Sequence, residues 1–140
     1  MNVLLVDDEI PFLETMTKRL AKREFITASA SGASEAIKLI EKNSDIEVVI
    51  LDVKMPEMDG LSALKIIRQR FPLVEVIMLT GHATIESAIE GMKHGAFDYL
   101  MKPCDMDQLV SKVREAAMKK RRHDEKILEA ELKKITTSRI

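Results

Sequence analysis

The chain has 140 residues, 46% of them hydrophobic and 32% charged, with a net charge of −1. That is one domain's worth of soluble chain, long enough to bury roughly two-thirds of its unfolded surface. The near-neutral balance excludes a whole-molecule attraction to nucleic acid or anionic membrane, and the single cysteine, Cys104, excludes an intramolecular disulfide framework.

Residues 2–6 read as an apolar strand that ends on Asp7 and Asp8. A helix follows over about 9–22, with Pro11 tolerated in its first turn. A second strand covers 25–29, and Ser31-Gly32 opens a helix to about Lys42 with Ala33, Ala36, Ile37 and Ile40 on one face. The third strand, 47–51, ends on Asp52. A loop of breakers, Met55-Pro56-Glu57-Met58-Asp59-Gly60, leads to a helix marked by Leu61, Leu64, Ile66 and Ile67. A strand over 74–79 ends on Thr80, a helix covers about 84–93, and a strand over 97–101 ends on Lys102. The last helix opens at Asp105. Val48-Val49-Ile50-Leu51 is apolar without alternation, as strands buried on both faces require. Five strand-helix units in alternation predict an α/β fold with a doubly wound parallel sheet.

The last helix continues past the point where such a domain can close. After the stripe Leu109, Val113, Ala116 and Ala117, the chain runs through Lys119-Lys120-Arg121-Arg122-His123-Asp124-Glu125-Lys126 without Gly or Pro, and Ile127, Leu128, Leu132 and Ile135 form a second stripe. Residues 1–120 are taken as the domain and 121–140 as a helical extension, linker or tail. The stripe suits a helix that pairs with a partner or leads to an output domain; a solvated end that frays is the other reading. No nucleic-acid recognition motif accompanies residues 119–122, so they read as a solvated basic face. With ten basic against seven acidic residues from 105 onward, the first 104 residues carry a net −4.

Parallel strands deliver their C-terminal ends to one edge of an open sheet, where ligands bind. Asp7, Asp8, Asp52, Thr80 and Lys102 therefore converge. Hard carboxylate oxygens suit Mg²⁺, or Mn²⁺ in its place. Three acids in one pocket repel, a cation and Lys102 offset that repulsion, and metal affinity should fall as the acids protonate. Thr80 and Lys102 are donors for phosphoryl oxygens, and positioning with charge neutralisation is nearly all that phosphoryl transfer needs. No serine or cysteine has a credible base. Asp52 is the best nucleophile, and the loop after it can offer the Lys54 backbone carbonyl to the metal. His82, His94 and His123 lack metal-ligand spacing.

Four segments together resemble the receiver domain of two-component response regulators over residues 1 to about 120. They are Leu5-Val6-Asp7-Asp8-Glu9, Leu51-Asp52-Val53-Lys54-Met55-Pro56-Glu57-Met58-Asp59-Gly60, Leu79-Thr80-Gly81-His82, and Gly95-Ala96-Phe97-Asp98-Tyr99-Leu100-Met101-Lys102-Pro103. The resemblance implies a flavodoxin-like sheet of order 2-1-3-4-5, flanked by five helices. It implies that Asp52 accepts a phosphoryl group from a sensor histidine kinase or phosphotransfer protein. Asp7, Asp8, Asp52 and the Lys54 carbonyl would hold Mg²⁺, Lys102 would pair with the phosphoryl group, and the Lys102-Pro103 bond would be cis. Thr80 and Tyr99 would act as the switch, altering the surface of the fourth helix, fifth strand and fifth helix. Lys54 and His82 would border the phosphoryl group and tune its lifetime.

Thr80-Gly81-His82-Ala83-Thr84 and the stretch from Gly91 to Tyr99 look most like receivers of sigma-54-dependent transcription activators. The expected protein is a cytoplasmic signalling switch with no activity beyond self-phosphorylation and slow self-dephosphorylation. Its partners would be a kinase, an effector domain or protein, and a second copy, met through the fourth helix, fifth strand and fifth helix or through the C-terminal helix. Direct nucleic-acid binding and membrane association are not expected. A stand-alone receiver or phosphorelay member is the alternative. A metal-dependent phosphohydrolase with an aspartyl nucleophile is a remote one, because Lys54 stands where the haloacid dehalogenase type places its general acid/base. A pseudo-receiver would not keep all five key residues.

Overall fold

Five short apolar segments pair as parallel strands, β1 (Asn2–Val6), β2 (Ile26–Ala30), β3 (Val48–Leu51), β4 (Glu75–Thr80) and β5 (Asp98–Met101), in the computed structural model, which describes residues 1–138. The sheet order is β2-β1-β3-β4-β5. Helices α1 (Ile10–Ala21), α2 (Ala33–Lys42), α3 (Gly60–Arg70), α4 (Ile85–Lys93) and α5 (Met106–Ser138) alternate with the strands. Every residue of β3 and β4 is buried, which is why neither shows a polar-apolar alternation.

Strand pleating divides the core in two. Leu4, Val6, Val49, Leu51, Val76 and Met78 face Ala36 and Ile40 of α2 and Leu64 and Ile67 of α3. Val3, Leu5, Val48, Ile50, Ile77 and Leu79 face Leu13 and Leu20 of α1 and Leu109 and Val113 of α5. The order reverses between β1 and β3, whose C-terminal ends therefore border a crevice.

Most expected boundaries hold within one residue, and the differences have local causes. β2 starts at Ile26 because the chain first reverses through Glu24 at φ 67°, dropping Phe25 into the core before strand pairing begins. β4 runs one residue further than expected, so Thr80 belongs to the strand. β5 begins at Asp98, after Phe97 donates its N–H to the Val76 carbonyl.

α5 is one unbroken helix of 33 residues. The expected segment 121–140 is thus helical as far as Ser138, and residues 139 and 140 lie outside the described residues. Residues 119–122 keep solvent contact, with Arg121 and Arg122 exposed, but three of them also make ion pairs. Lys119 pairs with Glu75, Lys120 with Asp124, and Arg121 with Glu47. Only Arg122 is left with the expected character of an exposed side chain without an ion pair among the described residues. Among those residues no helix is long and apolar enough to cross a membrane.

Candidate functional site

The site is assembled by backbone pairing at the C-terminal edge of the sheet. Asp7 extends β1 by donating its N–H to the Ala30 carbonyl, and Asp52 extends β3 by donating to the Val6 carbonyl. Both acids are 2% exposed, whereas Asp8 is exposed. Adjacent acids after a strand point to different sides, so one lies in the core of the site and the other at its mouth. The Asp7 Oδ1 accepts the Glu9 N–H at 2.9 Å, a local turn that starts α1. Carboxylate oxygens of Asp7, Asp8 and Asp52 all lie within 4.8 Å of one another.

Lys102 enters from the end of β5, its N–H bonded to the Thr80 carbonyl at 2.9 Å. Its Nζ lies 2.5 Å from Asp7 Oδ2, 3.6 Å from Glu9 Oε1 and 3.7 Å from Asp52 Oδ2. The Phe12 ring of α1 closes the other side, with its centroid 4.0 Å from the ammonium. Lys102-Pro103 is cis. Thr80 is fully buried and its Oγ accepts the His82 N–H at 3.0 Å, which leaves the hydroxyl proton free to be donated elsewhere. Gly60 opens α3 directly against the end of β3: a Cβ there would stand 1.9 Å from the Asp52 carbonyl oxygen, so no other residue fits. An open cleft of about 440 Å³ leads in past Asp8, Glu9, Lys54, Met55, Pro56 and His82.

The family model for the response regulator receiver domain matches residues 3–114. The chain belongs to the response regulator receiver domain family. The receiver is 38% identical over 112 residues to a putative NtrX-like response regulator of Rickettsia typhi, covering 79% of this chain and 23% of that protein. It is 34% identical over 114 residues to the DNA-binding transcriptional regulator NtrC of Escherichia coli, covering 81% of this chain and 24% of that protein. The beryllofluoride-activated NtrC4 receiver domain dimer superposes with a TM-score of 0.79 at 29% identity, over 85% of this chain and 98% of that one. The receiver thus spans about a quarter of the length of these regulators.

Electrostatics inside this receiver are set by burial and by Lys102. Burial pushes the Asp7 carboxyl above its ordinary range, and the nearby Asp52 adds to the rise, against the opposing hydrogen bonds from Lys102 and Glu9. Burial acts to lower the Lys102 ammonium, but Asp7, Asp52 and Glu9 outweigh it and hold Lys102 protonated. Asp52 Oδ1 is buried with no hydrogen-bond partner. An orphaned carboxylate oxygen beside two further acids is a donor set suited to a hard divalent cation, so the residues fit the metal that receivers imply.

Tyr99 stands apart from the acids, on the α4 side of β5. It is half-buried, its ring lies against Gly91, and its hydroxyl is 2.6 Å from Ser87 Oγ. The histidines stay outside the acidic cluster: His94 pairs with Glu90 at 3.1 Å, and His82 only lines the cleft. Glu9, Phe12 and Ser87 were not identified from the sequence. Glu9 and Phe12 are three apart at the start of α1 and so share a face, the one signal that could have joined them.

Proposed function

We propose that this receiver takes a phosphoryl group onto Asp52 from a sensor histidine kinase or phosphotransfer protein, in a Mg²⁺-dependent reaction, and relays the change to an effector that acts in transcription. The observation that carries this reading is the convergence of Asp7, Asp8 and Asp52 within 4.8 Å, with Lys102 among them. An Asp52 carboxylate oxygen forms the new P–O bond; the P–N bond to the donor histidine breaks, and the imidazole leaves with the electron pair. Asp7, Asp8, Asp52 and the Lys54 carbonyl would hold Mg²⁺ or Mn²⁺, which supplies positive charge against the carboxylates and the transferring group. Lys102, 3.7 Å from Asp52 Oδ2, pairs with the phosphoryl oxygens. Thr80 donates its hydroxyl proton to them.

Switching is a shift between two packings. As Thr80 moves toward the phosphoryl group, Tyr99 turns inward and releases Ser87, freeing the start of α4. α4 is suited to this role, since Gly91 is its one buried residue. Exposed apolar side chains occur on each of these elements: Ile85, Ile89 and Met92 on α4, Met101 on β5, and Met118, Leu128 and Leu132 on α5. A surface of this kind fits a second copy or an effector, and the NtrC4 receiver is a dimer in its activated form. We take residues 1–120 as the receiver unit, 121–140 as its helical extension, and the cytoplasm as its place of work.

Nuclear magnetic resonance with Mg²⁺ and beryllofluoride, a phosphoryl mimic, tests the reading. Amide signals of Thr80 and Tyr99 should shift in the wild type and stay in place in a folded Asp52→Ala variant. A wild-type spectrum unmoved by both additions contradicts it.

A further inference from the structure

Two buried acids lie at the opposite edge of the sheet, where the phosphoryl chemistry has no use for them. Glu75, 1% exposed, opens β4; Glu47, 8% exposed, stands immediately before β3. Their strands are neighbours, Glu75 paired with Val48, and the Glu75 N–H donates to the Glu47 carbonyl. The Glu75 Oε1 meets Arg68 Nη1 and Lys119 Nζ, each at 3.4 Å, while its Oε2 is buried without a hydrogen-bond partner. Glu47 receives Arg121 through two bonds, Nε to Oε2 at 2.8 Å and Nη2 to Oε1 at 3.2 Å, and the Asn2 N–H at 3.2 Å.

Surface ion pairs contribute little, but a buried carboxylate left without its partner is strongly destabilising. Were α5 to end at Met118, Glu75 would keep only Arg68 and Glu47 only Asn2 among these partners. The cations lie just beyond the point where the apolar stripe of α5 ends. Burial alone would raise the Glu47 carboxyl; the Arg121 and Asn2 bonds overcome it and hold Glu47 below its ordinary range. Lys119 and Arg121 are two residues apart, so they leave the helix on nearly opposite flanks. A tie on each flank, one of them a bidentate fork, sets both the direction of α5 and its rotation about its own axis.

We propose that Glu47 and Glu75 form an ionic socket that locks α5 to β3 and β4 as it leaves the domain, so that residues 122–138 are carried as a rigid arm. β4 ends on Thr80 and β3 leads into Asp52, so the arm is fixed to the strands that bear the site. Under the phosphorylation reading given above, changes at α4 and β5 would then occur against a stationary arm. The socket itself does not depend on that reading.

Pulsed electron-electron resonance tests the socket without a phosphodonor or Mg²⁺, so its outcome is separate from that of the phosphoryl reading. Spin labels go at Ser44→Cys and Lys126→Cys in a Cys104→Ser background. The wild-type socket should give one narrow distance distribution, and Glu47→Gln with Glu75→Gln should broaden it about twofold. Arg121→Met, at an exposed position, should broaden it too, and this variant decides the matter if the buried double variant fails to fold. A broad wild-type distribution, or an Arg121→Met distribution as narrow as the wild type, overturns the proposal.

Discussion

Under the proposed function Asp7 meets two opposing demands: it must be charged to hold a cation, and it is buried where charge is disfavoured. Its carboxyl is therefore shifted upward, so on acidification it takes up a proton earlier than an ordinary aspartate. Metal binding requires the carboxylate, so Mg²⁺ affinity should decline as pH falls, with the decline starting above the ordinary range near 3.8. Calorimetric Mg²⁺ titrations between about pH 8 and pH 4 check this; an affinity that stays flat to the ordinary aspartate range contradicts it. The five polar residues at the strand ends were legible in the sequence because each terminates an apolar run, and topology does the rest. Glu9 and Phe12 were not, because they belong to the opening of a helix, and nothing in a helical pattern says which turn will lie over a lysine 90 residues away.

α4 and α5 show what periodicity can and cannot reveal about an element. The bounds of α4 were readable but its packing was not: Ile85, Ile89 and Met92 are exposed, and the helix is held at its start by a reciprocal Thr84–Ser87 capping box. In α5 the stripe Leu109, Val113, Ala116 and Ala117 was readable and is buried. The meaning of the basic run after it was not, because nothing in the sequence says that Glu47 and Glu75, at the starts of two strands, will meet the end of this stripe. Leu128 and Leu132 are 56% and 54% exposed, and assembly of the activated receiver through this face predicts a specific sensitivity. Leu128→Asp with Leu132→Asp should raise the dimer dissociation constant at least about tenfold in light scattering with Mg²⁺ and beryllofluoride. A dimer of unchanged affinity would show that α5 is not its seam.

For the molecule as a whole, the alternation of strands and helices identified a doubly wound sheet, while the strand order came from the resemblance of four motifs to receivers. Apolar runs alone do not say which strand pairs with which. The resulting sheet has two working edges: acids, hydroxyl and ammonium meet at the C-terminal edge, and the paired acids that grip α5 lie at the N-terminal edge. Mixing in the sequence hid this division, since Asp52 and Glu47 are five residues apart yet belong to opposite ends of one strand. The central claim, that Asp52 is a Mg²⁺-dependent phosphoryl acceptor, is tested most directly by intact-protein mass spectrometry after incubation with a small-molecule phosphodonor. A gain of one phosphoryl group that requires Mg²⁺ and is lost in Asp52→Ala is the predicted result; no gain in the wild type, or an equal gain in Asp52→Ala, would contradict it.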